Sequence, residues 1–272
     1  MIQLFEGDMR DVLPGLALVD AVIADAPYHS EATVKRFGKP GSKLSSRTEN
    51  QNRPSEQFVR QDWDSGGIAF EVDTWRPVLD VLKPGGHLAA FGSSVEGWRM
   101  TSAIASAGFE IRDTVPWIYG TGMPRRHGRA MPANEPITIA RKPISEKTVK
   151  ANMAQHGVGE LFTRAEQALE GGWPRNVICD DESGLPAFFY HVKASARDRR
   201  GSKHPTVKPR ELIEWLLRLL APPGGLVLDP FAGSGTTGWA ARGLGMRANL
   251  IEKDAGHAAH IRRLLWADRV LA

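Results

Sequence analysis

The residues best suited to chemistry lie where an apolar segment runs into a glycine-rich turn and then a helix. Asp229 closes the apolar run 226–228, and residues 233–238 match the pattern Gly-x-Gly-x-x-Gly. Glycine lets the backbone approach a ligand closely, and the start of the helix offers free N–H groups. Glu252 lies 19 residues after Gly233, where an acid can accept ribose hydroxyl groups. The pattern predicts a nucleoside site, although a plain tight turn has the same spacing.

The surroundings of this turn narrow the choice of ligand. A nicotinamide dinucleotide would need a second nucleotide-binding half, and only 20 residues follow Glu252. Asp229 stands before the glycines and suits a cationic ligand better than a pyrophosphate. A nucleoside that carries a sulfonium and an amino acid fits both features. We therefore expect S-adenosylmethionine as the cofactor.

A second candidate site is the tetrapeptide Asp25-Ala26-Pro27-Tyr28, which follows the apolar run 20–24. Open α/β sheets bind ligands at the carboxyl ends of their strands, and proline stiffens a turn. The Asp25 carboxylate and the Ala26 carbonyl are two acceptors for the N–H groups of an exocyclic base amine. They would stabilise the positive charge that develops as this amine attacks a methyl group, while Tyr28 stacks on the flipped base. Taken alone, the tetrapeptide is more typical of a structural turn.

Together these motifs resemble the amino-group DNA methyltransferases, which methylate adenine N6 or cytosine N4. Residues 25–28 resemble the catalytic motif, usually Asp-Pro-Pro-Tyr, and residues 229–237 resemble the S-adenosylmethionine motif. The catalytic motif comes first in the chain, which is the permuted, β-class order. Ala26 replaces the usual first proline. Its carbonyl is retained, so we expect activity to survive.

Three further elements are similar to the same family. They are Gly7-Asp8, the segment 204–209 (His-Pro-Thr-Val-Lys-Pro), and the segment 132–142, which is similar to the strand before the target-recognition region. The resemblance implies that Asp8 meets the cofactor adenine, that Glu252 binds ribose, and that Thr206 and Lys208 meet the carboxylate end. The implied catalytic residues are Asp25, Ala26, Pro27 and Tyr28. The implied cofactor-binding residues are Asp8, Asp25, Thr206, Lys208, Asp229, Phe231, Gly233, Gly235, Thr236 and Glu252. No metal site is expected.

The resemblance also implies a substrate. Asp rather than Ser at position 25 favours adenine N6, in a specific site of double-stranded DNA, reached by base flipping. Cytosine N4 methylation stays open, as does an inactive DNA-binding relative, for which Ala26 is the only hint. Methylation of RNA or of a protein side-chain amide is disfavoured by the motif order and by the basic segment 116–210. A homodimer and a cognate restriction endonuclease are partners that the sequence leaves undecided.

Positive charge is concentrated in two segments of a chain whose net charge is +4. These segments, 30–62 and 116–210, suit a polyanion because lysine and arginine neutralise phosphates. We expect the 30–62 loop to be mobile without DNA and to close over phosphates or the flipped base; a solvated linker is the alternative. The expected DNA-binding side chains are Lys35, Arg36, Lys39, Lys43, Arg47, Arg197, Arg199, Arg200 and Lys203.

The elements that must position these residues alternate between strand and helix, which favours an α/β fold with a mainly parallel sheet. The resemblance specifies a Rossmann-like methyltransferase fold with seven strands and an irregular target-recognition insertion. Strands are predicted at 1–5, 20–24, 87–91, 109–119, 226–228 and 247–251, and helices at 10–18, 71–82, 95–107, 206–220, 236–244 and 255–267. The predicted parts are a catalytic half (1–140), a target-recognition region (141–203) and a cofactor-binding half (204–272).

Composition excludes several other classes of protein. The chain has 272 residues and no apolar run of 18, so a transmembrane helix and a membrane partner are not expected. The acidic N-terminal segment is unlike a secretory signal. The single Cys179 excludes an internal disulfide and a cysteine-cluster zinc site. We expect a reducing, cytoplasmic location.

Overall fold

A computed structural model describes residues 1–27, 67–119, 133–162, 178–179, 193–202, 204 and 206–266. Tyr28, the predicted loop 30–62 and Lys203 therefore lie outside the described residues. The strands are β1 (Ile2–Glu6), β2 (Val19–Ala24), β3 (Leu82–Phe91), β4 (Glu110–Ile118), β5 (Asn134–Arg141), β6 (Ile178–Cys179), β7 (Leu226–Asp229) and β8 (Arg247–Glu252). The helices are α1 (Met9–Val12), α2 (Val72–Val81), α3 (Gly97–Ser106), α4 (Val149–His156), α5 (Ala196–Arg199), α6 (Arg210–Leu220), α7 (Thr236–Gly243) and α8 (Ala255–Trp266).

The described strands form one sheet in the order β1-β8-β7-β2-β3-β5-β4-β6. All neighbours are parallel except that β5 runs antiparallel to both β3 and β4. The predicted α/β class and mainly parallel sheet are confirmed. The eighth strand, beyond the seven expected, is the two-residue β6 beside β4.

The strand β2 is the centre of the molecule because helices cover both of its faces. All six of its residues are buried. Ile23 packs with Leu212 and Leu216 of α6, while the adjacent Val22 belongs to the core that contains Trp75 of α2. Successive side chains of a strand point to opposite faces, so a strand covered on both sides is mostly apolar. The buried Asp20 of β2 is paired with Lys83. The strand predicted from the run 20–24 is present as β2, and it is buried.

The segment 83–86 lies inside strand β3, although the predicted helix 71–82 and strand 87–91 leave it as the connection between them. Strand β3 already begins at Leu82, and Val19 of β2 pairs with Leu82 while Ala21 pairs with His87. The four intervening residues bulge out of the ladder, and Gly85 adopts φ +80° there. The proline and glycines thus mark an irregularity inside a strand rather than the space between two elements.

Helix α4 lies in the part of the chain that was predicted to have little regular structure. Thr148 caps its start by accepting the N–H of Ala151, and Gly157 ends it with φ +74°. The helix buries only Asn152, whose side-chain amide donates to the carbonyls of Pro84 and Val158. It has no apolar face for periodicity to detect, since a polar residue holds it to the sheet.

No helix among the described residues combines the length and the apolar character that crossing a lipid bilayer requires.

Candidate active site

A cleft of about 350 Å³ opens where β2 and β7 end side by side. The two strands are parallel, with Ala21 opposite Val227 and Val22 opposite Leu228, so Asp25 and Asp229 reach the same edge of the sheet. Predicted site residues that line the cleft are Asp25, Thr206, Lys208, Asp229, Phe231, Gly233 and Thr236; further lining residues are Ile23, Phe91, His204, Ile213, Ala232, Ser234 and Thr237. The structure thus brings the two main sequence motifs into one cleft.

The carboxylate of Asp25 is paired with a buried lysine. Lys208 Nζ lies 2.7 Å from Asp25 Oδ2 and 2.9 Å from Glu135 Oε1, and it stands 4.8 Å from the centre of the Phe91 ring. Burial raises the pKa of Asp25, and the ammonium of Lys208 opposes that rise while Glu135 adds to it. Burial alone lowers the pKa of Lys208, but the carboxylates of Asp25 and Glu135 outweigh this effect and hold it above its usual value.

The carboxylate of Asp229 is held by the turn that follows it. Thr237 Oγ1 donates to Oδ2 at 2.5 Å, and the backbone N–H of Phe231 donates to Oδ1 at 3.0 Å. Burial raises the pKa of Asp229 to about 7, despite these two hydrogen bonds, which favour the ionised form. Near neutral pH this carboxyl group therefore exchanges readily between its charged and neutral forms.

The glycine-rich turn has a backbone that only glycine adopts easily. Gly233 and Gly235 have φ +51° and +78°, in the left-handed region. The N–H of Gly233 donates to Glu252 Oε2 at 2.7 Å, and the N–H of Asp254 donates to Oε1 at 2.7 Å. Burial raises the pKa of Glu252, whose carboxylate ties the turn to the end of β8. Gly235 and Glu252 support the cleft without lining it.

His204 closes one side of the cleft. A β-carbon added at Gly233 would lie 3.0 Å from His204 Nε2, so the histidine ring packs directly on the glycine backbone. Its Nδ1 accepts the N–H of Thr206 at 3.3 Å, and its ring meets His257 edge to face at 4.7 Å. Burial lowers the pKa of His204 to about 3, so the ring is neutral at physiological pH.

Asp8 lies beside the cleft and does not line it. Its carboxylate caps α1 by accepting the N–H of Arg10 at 3.0 Å, and it pairs with the Arg10 guanidinium at 2.7 Å and with Lys253 at 3.1 Å. The side-chain hydrogen bond from Arg10 holds the pKa of Asp8 below its usual value. The preceding N–H of Gly7 donates to the Glu252 carbonyl, which places Asp8 near the end of β8.

The described part of the predicted DNA surface is the short helix α5 and the residue after it. Arg197, Arg199 and Arg200 are all exposed. The Arg200 guanidinium lies 4.8 Å from the centre of the Trp239 ring, and Arg199 donates to the His204 carbonyl at 3.3 Å. These contacts join the basic segment to the rim of the cleft. Lys35, Arg36, Lys39, Lys43, Arg47 and Lys203 lie outside the described residues.

Sequence reasoning missed two contributors to the site. His204 begins the segment 204–209 that was singled out, but it was not among the predicted site residues. Glu135 lies within the segment 132–142, and its position beside Lys208 depends on the pairing of distant strands. Among the described residues, no group of histidine, cysteine, aspartate and glutamate side chains is placed to hold a metal ion.

Comparison with known proteins gives a consistent result. The family model described as DNA methylase matches residues 19–263. The type II methyltransferase M2.DpnII of Streptococcus pneumoniae is 26% identical over 213 residues, covering 76% of this chain and 72% of its own. M.HindIII of Haemophilus influenzae is 26% identical over 255 residues, covering 84% of this chain and 74% of its own.

Solved structures share the fold. The M1.HpyAVI–SAM complex superposes with a TM-score of 0.63 at 19% identity, over 98% of this chain and all of that chain. The PvuII DNA methyltransferase, a cytosine-N4-specific enzyme, superposes with a TM-score of 0.62 at 16% identity, over 96% of this chain and 84% of that chain.

Proposed function

This chain belongs to the DNA methylase family of N6/N4 methyltransferases, and we propose that it methylates N6 of adenine within a specific site of double-stranded DNA. One observation carries the proposal: Asp25 and Asp229 end neighbouring parallel strands and line the same cleft. The first carboxylate stands in the catalytic motif and the second begins the cofactor motif. The donor of the methyl group in this family is S-adenosylmethionine.

The residues of the cleft fit this cofactor. When bound, S-adenosylmethionine supplies a sulfonium-bound methyl group: the new N–C bond forms as the S–C bond breaks, its electron pair passes to sulfur, and the amine loses a proton. Because Gly233 has no β-carbon, its backbone borders the cleft directly beside the His204 ring, and the missing β-carbon of Gly235 lets Ile261 of α8 pack on the turn. Asp229 offers a buried carboxylate to a cationic ligand, and Glu252 keeps lone pairs for ribose hydroxyl groups beside the N–H groups that it already accepts.

We assign the cofactor contacts accordingly. Asp229, Phe231, Gly233, Gly235 and Thr236 form the turn around the cofactor, with Glu252 at the ribose and Asp8 toward the adenine. Thr206 serves the carboxylate end. Lys208 was expected at that same end, but its ammonium is engaged by Asp25 and Glu135. We therefore place its main role at the catalytic carboxylate.

Asp25 and Ala26 would act on the target amine. The lone pair of an exocyclic amine is delocalised into its ring, so the amine attacks only if its developing positive charge is stabilised. The Asp25 carboxylate and the Ala26 carbonyl accept its two N–H groups, and Pro27 holds the turn. Tyr28 stacks on the flipped base. The aspartate at position 25 supports adenine N6 over cytosine N4.

The basic residues would hold DNA over this cleft. Arg199 donates to the carbonyl of His204, which closes one side of the site, and the exposed Arg197 and Arg200 lie on the same short segment. In this proposal the region 141–203 recognises the target sequence, the loop 30–62 contacts phosphates or the flipped base, and 1–140 and 204–272 are the catalytic and cofactor-binding halves. Solvent-exposed guanidinium groups at the cleft rim suit phosphate contacts.

Methyl transfer to unmethylated double-stranded DNA tests the proposal. The product is digested, and its nucleosides are separated and weighed. We expect N6-methyladenine from the wild type and from Asp73→Ala, a control that removes an exposed carboxylate elsewhere, and none from Asp25→Ala. N4-methylcytosine would overturn the base assignment and keep the reaction. The absence of any methylated nucleoside, with cofactor bound, would overturn the proposal.

A further inference from the structure

A third side chain, from a distant part of the chain, reaches the Asp25–Lys208 pair. Glu135 is the second residue of β5, which is antiparallel to its neighbours. The start of β5, rather than its end, therefore lies at the cleft edge of the sheet. Glu135 Oε1 is 2.9 Å from Lys208 Nζ, and only 14% of its side chain is exposed. One buried ammonium thus bridges carboxylates from positions 25 and 135.

The charges of this cluster do not cancel. Asp25 and Lys208 alone would form a neutral pair, which exerts little attraction on a cation. Glu135 adds a second carboxylate, so these three side chains, when all are ionised, sum to one negative charge. The side chain of Lys208 is 8% exposed, and water therefore screens these interactions weakly. The Phe91 ring lies against the ammonium at 4.8 Å and limits its movement.

We propose that Glu135 is a positioning residue for methyl transfer, which fixes Lys208 against Asp25 and leaves the cluster with net negative charge toward the reacting amine. This inference rests on the proposed function. Lys208 holds Asp25 Oδ2, so Oδ1 is the oxygen directed at the amine N–H. Glu135 acts through Lys208 and through the field of the cluster, without touching the substrate.

The proposal has a consequence for the pH dependence of the rate. Among the residues that the structure describes, the charged groups that face Asp25 are Lys208, Glu135 and Asp229, and His204 faces Lys208. Glu135 contributes to the raised pKa of Asp25. Replacing it with a neutral side chain lowers the pKa of Asp25, so the acid limb of the rate profile moves to lower pH. The same change slows the reaction because the cluster becomes neutral.

Single-turnover methyl transfer by Glu135→Gln, followed from about pH 5 to about pH 9, tests this inference. Glutamine keeps the size of the side chain and a hydrogen-bond acceptor for Lys208. We expect a rate about 100-fold below wild type, the scale of losing one preorganised electrostatic contact. We also expect unchanged S-adenosylmethionine affinity and an acid limb at lower pH. Glu135→Asp keeps the negative charge, so its acid limb should stay at the wild-type pH and its rate should lie between those of Glu135→Gln and wild type. Glu96→Gln is the control, since Glu96 is a partly exposed glutamate that pairs with Arg99 and does not line the cleft.

Two results would overturn the inference and leave the proposed function intact. One is a Glu135→Gln variant whose rate and pH–rate profile match those of wild type. The other is a slower variant whose acid limb stays at the wild-type pH, because loss of a merely structural residue would lower the rate without moving the acid limb. A wild type that methylates no DNA would instead remove the proposed function.

If Glu135→Gln does not fold, the substitution is made in a Lys208→Met background. In that background Asp25 and Glu135 have lost the ammonium between them, so removing the charge of Glu135 relieves the repulsion between two carboxylates. There the pKa of Asp25, read by carboxyl-carbon NMR, must fall, and an unchanged value overturns the inference.

Discussion

The carboxylate of Glu252 and the backbone N–H of Gly233 meet at 2.7 Å, which ties the glycine-rich turn to the end of the neighbouring strand β8. The turn is therefore held by a residue that does not line the cleft. His204, which lines the cleft, packs against the position that a β-carbon of residue 233 would take. A side chain at this position changes the cleft itself.

Gly233→Ala should weaken S-adenosylmethionine binding at least about tenfold and lower stability by about 1–2 kcal/mol, the cost of a left-handed backbone for a residue with a β-carbon. The added methyl group must also displace His204. Calorimetric titration and urea unfolding measure the two effects.

Gly224→Ala is the matched control for this substitution. Gly224 has φ +69°, and no described heavy atom lies within 4 Å of its added β-carbon. Gly224→Ala should lower the free energy of unfolding about as much as Gly233→Ala does, and it should bind S-adenosylmethionine as tightly as wild type. Equal affinities in the two alanine variants would contradict a role of position 233 in binding.

Lys208→Met should destabilise the protein by about 3–5 kcal/mol near pH 8, because two buried carboxylates lose their shared counter-ion. Without the ammonium the pKa of Asp25 rises further, so the acid limb of methyl transfer moves to higher pH. The loss of stability shrinks as pH falls and the carboxylates take up protons. Urea unfolding at several pH values measures it.

Lys208→Arg provides the comparison for that measurement. It keeps the positive charge, so its stability should be closer to wild type at every pH. A methionine variant as stable as wild type at pH 8 would contradict the buried ion cluster.

Asp229→Asn should stabilise the cofactor-free protein in a pH-dependent way. The folded pKa of Asp229 is about 7, above the ordinary 3.8, so the folded state binds a proton more tightly than the unfolded chain. The free energy of unfolding of wild type therefore falls by at most about 4 kcal/mol as pH rises from about 4 to about 7. The Asp229→Asn variant lacks this fall because asparagine does not ionise. The advantage of the variant should be absent near pH 4 and full above pH 7.

The same variant should bind S-adenosylmethionine more weakly, since a carboxylate that faces a cation is lost. Wild-type affinity should rise with pH through neutrality as Asp229 ionises, and the asparagine variant should lack that rise. Parallel curves for the two proteins would show that Asp229 does not meet the charged part of the cofactor.

Arg197→Ala should reduce the salt dependence of DNA binding. Each phosphate contact contributes about one unit to the slope of log affinity against log salt, so the slope should fall by about 1. Fluorescence anisotropy at several salt concentrations gives the slope. Arg76→Ala on α2, where the arginine is exposed and pairs with Asp73, is the control and should leave the slope unchanged. An equal change in both variants would point to a general effect of net charge.

Local sequence patterns predicted where the strands lie along the chain better than which strands are neighbours in the sheet. The apolar runs before Asp25 and Asp229 predicted β2 and β7, because strands covered on both faces are mostly apolar. That these strands are neighbours is a property of the whole sheet, and so is the approach of Glu135 to Lys208. Helix α4 escaped prediction because the one residue it buries, Asn152, is polar.

The sheet order has a consequence for the order in which the molecule can be made. Strands β7 and β8 lie between β1 and β2, although they are translated last among the strands. A nascent chain that has emerged through residue 220 carries Asp25, Glu135 and Lys208 but leaves two central places in the sheet empty. Its first strand cannot dock until residues 226–252 leave the ribosome, since β1 is joined to the rest of the sheet through β8. The site is thus completed only after residues 226–252 have been added, because they carry Asp229 and the glycine-rich turn.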